Sequence, residues 1–235
     1  MTLKAVLFDF NGIIINDEPL HERLIQQLLI EENLRTKPEE FREFCLGRSD
    51  RACLRDLLTH RGRMVTDEYL ERLIVRKSQA YCQQMEALEE LPVYPGVQEF
   101  VSQIHAAEFK IAVVSGAVRP EIELILNRIN IAEYFSVIVA GDEITTSKPD
   151  PEGYLLAVER LNQKYPQLNL HPCECLAIED TYPGIQAAQN AKIPVVGVAH
   201  TYPLHMLQRL ANWAVDRFSD LELERVQQSY ELEVA

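Results

Sequence analysis

Five short apolar runs recur along this chain of 235 residues: Lys4 to Asp9, Lys110 to Ser115, Ser136 to Gly141, Cys175 to Asp180 and Pro194 to Val198. Their length and the turn residues that border them predict buried strands. Between them lie segments with helical spacing: Val97, Phe100, Val101 and Ile104, then Ile122, Ile125, Leu126 and Ile129, then Tyr154, Leu155, Val158 and Leu161. Strand alternating with helix implies a parallel sheet covered on both faces. The expected class is α/β, with a Rossmann-like parallel sheet core.

One stretch breaks the alternation. From about Pro19 to Leu91 there is no strand-like run, and apolar residues recur at helical spacing, as in Leu24, Ile25, Leu28 and Leu29, then Tyr69, Leu70, Leu73 and Ile74. This predicts a small all-helical unit, residues 18–91, inserted after the first strand of a core built from 1–17 and 92–235. Turn residues mark both crossings, Asn16-Asp-Glu-Pro19 on entry and Pro92-Val-Tyr-Pro-Gly96 on exit, a two-strand hinge.

Composition narrows the partners. With 47% hydrophobic residues the chain buries a core without staples. Thirty-six acidic against twenty-three basic residues give a formal charge of −13, which repels nucleic-acid backbones and anionic lipid. No apolar run approaches the roughly 18 residues of a membrane span, and Met1 to Lys4 lead straight into a strand-like segment instead of a secretory signal. The five cysteines, 45, 53, 82, 173 and 175, show no CxxC spacing and are expected to be reduced thiols. The protein is thus expected to be soluble and cytoplasmic, with no nucleic-acid or membrane partner. The oligomeric state stays open, with the monomer slightly favoured.

Four polar clusters follow four of the predicted strands: Asp9-Phe-Asn-Gly12, Ser115-Gly-Ala117, Ser147-Lys-Pro-Asp150 and Glu179-Asp180-Thr-Tyr-Pro-Gly184. Ligands of open parallel sheets bind at the carboxyl ends of strands, so the four can share one site. Each alone has an ordinary structural use, as a helix cap, a turn or a solvated pair. Together they suit phosphoryl transfer. A carboxylate, Asp9, can attack phosphorus and form an acyl phosphate. Mg2+ needs hard oxygen ligands, which Asp9 and Asp180 can give directly and Glu179 through water. Lys148 would hold remaining charge, while Ser115 and the amides of Gly116 and Ala117 would donate to the transferring oxygens.

In these motifs, taken in this order from Val6 to about Val198, the chain resembles the haloacid dehalogenase superfamily, in the branch with a helical cap that includes beta-phosphoglucomutase-like and phosphoglycolate-phosphatase-like members. The resemblance implies that Asp9 is nucleophile and metal ligand, that the backbone carbonyl of Asn11 is a further ligand, and that Ser115 with Gly116, Lys148, and Glu179 with Asp180 are the second, third and fourth motifs. It implies that Gly184 relieves crowding near the metal. It also makes Leu46-Gly-Arg-Ser-Asp50 a substrate-facing loop of the cap, where Arg48 or Arg51 meets a second anionic group or simply faces solvent.

Two departures stand out. The family pattern has an aspartate two residues after the nucleophile, which gives the leaving oxygen a proton and later activates water; here it is Asn11, whose amide cannot exchange a proton. Losing a general acid–base typically slows turnover by about 10²–10⁴-fold. The entry linker reads Asn16-Asp17-Glu18 where related sequences have an acid followed by a small polar residue. Asp17 or Glu18 could substitute as the acid, and His21 lies one turn on; an unassisted leaving group is the simpler reading. Carbon–phosphorus cleavage would need a Schiff-base lysine, and neither Lys37 nor Lys77 is expected near the entry loop. The Glu179 and Asp180 pair argues against dehalogenation.

The leading expectation is a Mg2+-dependent phosphatase for a small phosphorylated metabolite. The alternatives are a phosphomutase and a catalytically silent binder of a phosphometabolite or a partner. His60, His105, His171, His200 and His205 share no metal spacing and are expected in surface or packing roles. Leu221, Leu223, Val226 and Tyr230 in the acidic tail predict an end helix laid on the core, and Trp213 a last strand or its edge.

Overall fold

A computed structural model describes residues 2–232. The first strand, β1 (Ala5–Phe8), runs into a turn and then four helices: α1 (Glu18–Glu31), α2 (Pro38–Phe44), α3 (Asp50–His60) and α4 (Asp67–Glu86). After α5 (Val97–Ala106) the chain alternates: β2 (Lys110–Val114), α6 (Arg119–Arg128), β3 (Phe135–Val139), α7 (Glu152–Lys164), β4 (Cys175–Glu179) and α8 (Tyr182–Asn190). It closes with β5 (Val195–Val198), a short α9 (Leu204–Leu207), β6 (Trp213–Val215) and α10 (Leu223–Leu232).

The strands form one parallel sheet in the order β3-β2-β1-β4-β5-β6. Successive side chains point to opposite faces. Val6, Phe8, Ile111, Val113, Leu176 and Ile178 join one apolar cluster with residues of α5, α6 and α10, while Ala5, Leu7, Ala112, Val114 and Ala177 join another with α7 and α8. Helices therefore cover both faces, as the alternation predicts. β1 sits between β2 and β4, where the strand order reverses direction, so its carboxyl end opens into the crevice that such sheets use for ligands.

The helices α1 to α4 add no strand and enclose an apolar cluster of their own, including Ile25, Leu28, Leu54, Leu57, Leu70 and Leu73. Threonine and serine side chains start several helices: Ser49 accepts from the Ala52 amide, Thr66 from Tyr69 and Thr181 from Gly184. Trp213 lies on the edge strand, and in α10 Val226 and Tyr230 are buried against the core. No helix of the described residues is long and apolar enough to cross a membrane.

The cysteine expectation needs correction. Cys45 and Cys53 form a disulfide, with Cα atoms 4.4 Å apart; Cys82, Cys173 and Cys175 are free. The pair joins the end of α2 to the first turns of α3, two positions that the sequence leaves unpaired because their approach depends on how the helices pack. The cysteine count consequently carries no argument about compartment.

Candidate active site

Asp9 is the first residue past β1, Glu179 ends the neighbouring strand β4 and Asp180 follows it, so pairing of the two strands brings the three carboxylates together. One oxygen from each lies within 4.8 Å of the others, and all three residues are buried. Lys148, from the loop before α7, bridges two of them: Nζ lies 2.8 Å from Asp9 Oδ1 and 2.6 Å from Glu179 Oε1. The Tyr154 hydroxyl donates to the same Glu179 oxygen at 2.7 Å, and Thr201 donates to Asp180 Oδ2.

One ammonium does not balance three buried carboxylates. Burial, then the Asp9 charge, pushes Glu179 up despite Lys148, and burial with Asp9 and Glu179 pushes Asp180 well above the usual carboxylate range. Lys148 is held above its ordinary value: burial pulls it down, but Asp9 and Glu179 outweigh that. Asp180 Oδ1 is buried without a hydrogen-bond partner among the described residues. Hard oxygen donors, excess negative charge and an unpartnered buried oxygen together fit a divalent cation.

The turn after β1 is shaped for close approach. Gly12 has φ +77°, and a Cβ there would fall 2.1 Å from Asp180 Oδ2; at Gly184 it would fall 1.9 Å from Glu179 Oε2. Both glycines thus leave room for the acidic pair. The Gly12 carbonyl accepts from His200 Nδ1 at 2.7 Å, and the His200 ring stacks on Tyr94.

Ser115 follows β2. Its hydroxyl accepts from the Ala117 amide at 3.0 Å and donates to Asn11 Oδ1 at 3.4 Å, so the second motif faces the first. Asn11 Nδ2 lies 3.1 and 3.0 Å from the two oxygens of Asp17 and 2.9 Å from His21 Nε2. Asp17 also accepts from the Tyr81 hydroxyl at 2.5 Å and from His21 at 3.2 Å. Burial would raise Asp17, but the His21 charge and these bonds win and hold it below its ordinary value. In His21 burial and Lys77 pull down, yet Asp17 leaves the imidazole above its ordinary value.

Asp9, Asn11, Gly116, Ala117 and Lys148 line one cavity together with Glu18, His21 and Arg48 from the helical segment. It leaves about 40 Å³, far less than the several hundred Å³ of cavities that hold whole small ligands. The loop 46–52 forms its roof: the Gly47 Cα lies against Thr181, the Arg48 carbonyl lies against Gly116, and the Ser49 amide donates to Ser147 Oγ at 2.7 Å. Arg48 pairs with Asp56 at 2.7 Å. Arg51 does not line this cavity; it pairs with Glu71 at 2.5 Å.

Lys77 lies where the sequence did not place it. It lines the cavity, fully buried, 2.8 Å from Asp50 and 3.3 Å from Glu121. Burial pulls its ammonium down, but the two carboxylates raise it above its ordinary value, so it is a fixed cation and not a free amine for a Schiff base. Lys37 instead reaches Glu40 on the helical segment, at 3.8 Å. Sequence reading also missed Tyr81, Tyr154, Glu121, Thr201 and the position of His200. Only the placement of Thr201 and His200 just after the β5 run offered a signal.

Residues 6–198 match the sequence model of the haloacid dehalogenase-like hydrolases. Over 201 residues the chain is 29% identical to a phosphorylated carbohydrates phosphatase of Thermotoga maritima, covering 85% of this chain and 87% of that one. It is 28% identical over 235 residues to beta-phosphoglucomutase of Bacillus subtilis, covering 97% and 96%. Among solved structures, beta-phosphoglucomutase from Clostridium difficile shares the fold with a TM-score of 0.84 at 22% identity, over 99% of each chain.

Proposed function

The chain belongs to the haloacid dehalogenase-like hydrolases, and from that premise we propose that it is a Mg2+-dependent phosphatase that cleaves a small phosphorylated metabolite through a phosphorylated Asp9. The observation that carries this reading is the buried group of Asp9, Glu179 and Asp180 around Lys148 at the carboxyl ends of adjacent strands. The phosphatase and mutase names of its relatives support the same class of substrate.

Asp9, Asp180, the Asn11 carbonyl and, through water, Glu179 would hold the cation, which when bound neutralises phosphate charge. Lys148 pairs with Asp9 and orients it. Ser115 and the amides of Gly116 and Ala117 donate to the transferring oxygens. Residues 18–91 act as a cap that swings at the 16–19 and 92–96 crossings to admit a metabolite, a reading the small cavity supports. Arg48, on the roof loop, meets the part of the substrate distant from phosphorus.

Asn11 slows turnover relative to a chain with an aspartate there, and weighs more heavily against a mutase, which moves protons in both directions. The test is a screen of phosphorylated metabolites and p-nitrophenyl phosphate with and without Mg2+, run beside Asp9→Ala. Mg2+-dependent release of phosphate that Asp9→Ala abolishes is the expected result. Tight Mg2+-dependent binding with no product over hours would instead identify a silent binder.

A further inference from the structure

The chain departs from the family pattern at position 11 and position 17, and the structure shows that these two residues touch. Asn11 Nδ2 lies 3.1 and 3.0 Å from the Asp17 oxygens. With the amide reversed, its oxygen would face two carboxylate oxygens at that separation and gain one bond from His21 Nε2 at 2.9 Å, so the two contacts to Asp17 outweigh the one to His21 and turn the N–H side to Asp17. That fixes Asn11 Oδ1 on the other side, toward Ser115. Asp17 itself is buried, takes further hydrogen bonds from Tyr81 and His21, and does not line the cavity. Relative to the family pattern, the carboxylate has moved one contact away from the reaction and an acceptor stands in its place.

Resting on the phosphatase reading above, we infer that Asp17 is a positioning residue that locks Asn11 as an acceptor, and that the enzyme is therefore selective for phosphate on an oxygen that leaves without protonation: an acyl or phenolic phosphate and not a simple alkyl phosphate. In the first step an Asp9 oxygen bonds to phosphorus, the ester P–O bond breaks, and its electron pair departs on the leaving oxygen, which takes a proton from solvent after release. In the second, water bonds to phosphorus, the Asp9–phosphorus bond breaks to restore the carboxylate, and both water protons leave with the phosphate as dihydrogen phosphate, which re-equilibrates in solvent. Neither step asks Asn11 for a proton. Two cavity groups could defeat this, His21 and Glu18, which line the cavity together with Asp9. His21 turns Nε2 to Asp17 and Asn11. Glu18 forms the wall toward the open cleft that Tyr94 and His200 also line.

The experiment compares kcat/KM for p-nitrophenyl phosphate, phenyl phosphate and glycerol phosphate with Mg2+ in wild type, Asn11→Asp, Asp17→Ser, the double variant and Glu18→Gln. Wild type is expected to favour p-nitrophenyl over glycerol phosphate by about 10²-fold or more, the scale of a missing general acid. Asn11→Asp alone leaves the new carboxyl hydrogen-bonded to Asp17 about 3 Å away, its proton directed there and not at the leaving oxygen, and regains less than about 10-fold on glycerol phosphate. Asn11→Asp with Asp17→Ser regains about 10²-fold. The wild-type series needs no variant to fold. Equal kcat/KM across the series, or a steeper series in Glu18→Gln, shows another acid at work and overturns the inference while the phosphatase reading stands. Full recovery by Asn11→Asp alone overturns the role of Asp17. No turnover of any ester, with no phosphoryl group trapped on Asp9, removes the phosphatase reading and this inference with it.

Discussion

Lys148 Nζ lies 2.8 Å from Asp9 Oδ1, and through the same ammonium Asp9 is joined to Glu179 at 2.6 Å. Lys148 comes from the loop before α7 and the acids from two strands, so one cation ties three separate stretches of chain. Removing it leaves buried carboxylates without a counter-charge, which costs about 3–5 kcal/mol. Lys148→Ala is expected to lower the free energy of urea unfolding by that amount, and Mg2+ to recover part of the loss. A variant as stable as wild type in the absence of metal would show that the acids need no cation.

Glu18 gives a pH dependence with a definite sign. Burial, then the Asp17 and Asp9 charges working against His21, pushes it up from 4.5 to about 7. The folded chain therefore holds this proton to higher pH than the unfolded chain does, and stability from this group is present below about pH 4.5 and lost as pH rises through about 7. Glu18→Gln should remove up to about 3 kcal/mol of that decline, read as the difference between urea unfolding at about pH 5 and about pH 8. The same slope in both proteins would refute it.

Arg48 and Arg51 separate by position. Arg48 lines the cavity, and Arg51 is committed to Glu71 outside it. A charge-assisted hydrogen bond contributes about 1.5–3 kcal/mol, so Arg48→Ala should raise KM for a doubly charged sugar phosphate about 10-fold or more, with a smaller change for p-nitrophenyl phosphate. Arg51→Ala should leave both KM values within about 2-fold on the same scale. Equal responses from the two variants would remove Arg48 from substrate binding.

The Cys45–Cys53 bridge closes the loop that carries Arg48. Cross-links of this kind stabilise by about 2–4 kcal/mol, and here the constrained segment is the cavity roof. Cys45→Ser, or reduction with a dithiol, is expected to lower stability on that scale and to raise KM more than it lowers kcat. Identical urea midpoints with and without reductant would show that the bridge does not constrain the fold.

Much of the fold was legible because it depends on local pattern. The runs around Val6, Val113, Ile178 and Val196 are buried strands, and the helical spacing of Leu24 to Leu29 and Leu70 to Ile74 marks buried helix faces. Asp9, Ser115, Lys148, Glu179 and Asp180 could be grouped because each follows or ends a strand of one parallel sheet, or stands in the loop after one. What stayed hidden depends on how helices pack on that sheet. Lys77 reaches the cavity only because α4 lies beside α1 and α6, Cys45 meets Cys53 only because α2 turns back on α3, and Tyr81 meets Asp17 across 64 positions. The Asn11–Asp17 contact was concealed differently: each residue was visible as a departure from pattern, and only their separation of about 3 Å shows that the two departures are one.

The most direct test of the account asks whether Asp9 carries phosphorus. Protein incubated with Mg2+ and p-nitrophenyl phosphate, quenched in acid and digested, should yield a peptide containing Asp9 with an added phosphoryl mass, lost in Asp9→Asn and in wild type treated with a chelator. Unmodified Asp9 in a protein that still turns over the ester, or turnover by Asp9→Asn at the wild-type rate, would contradict the account.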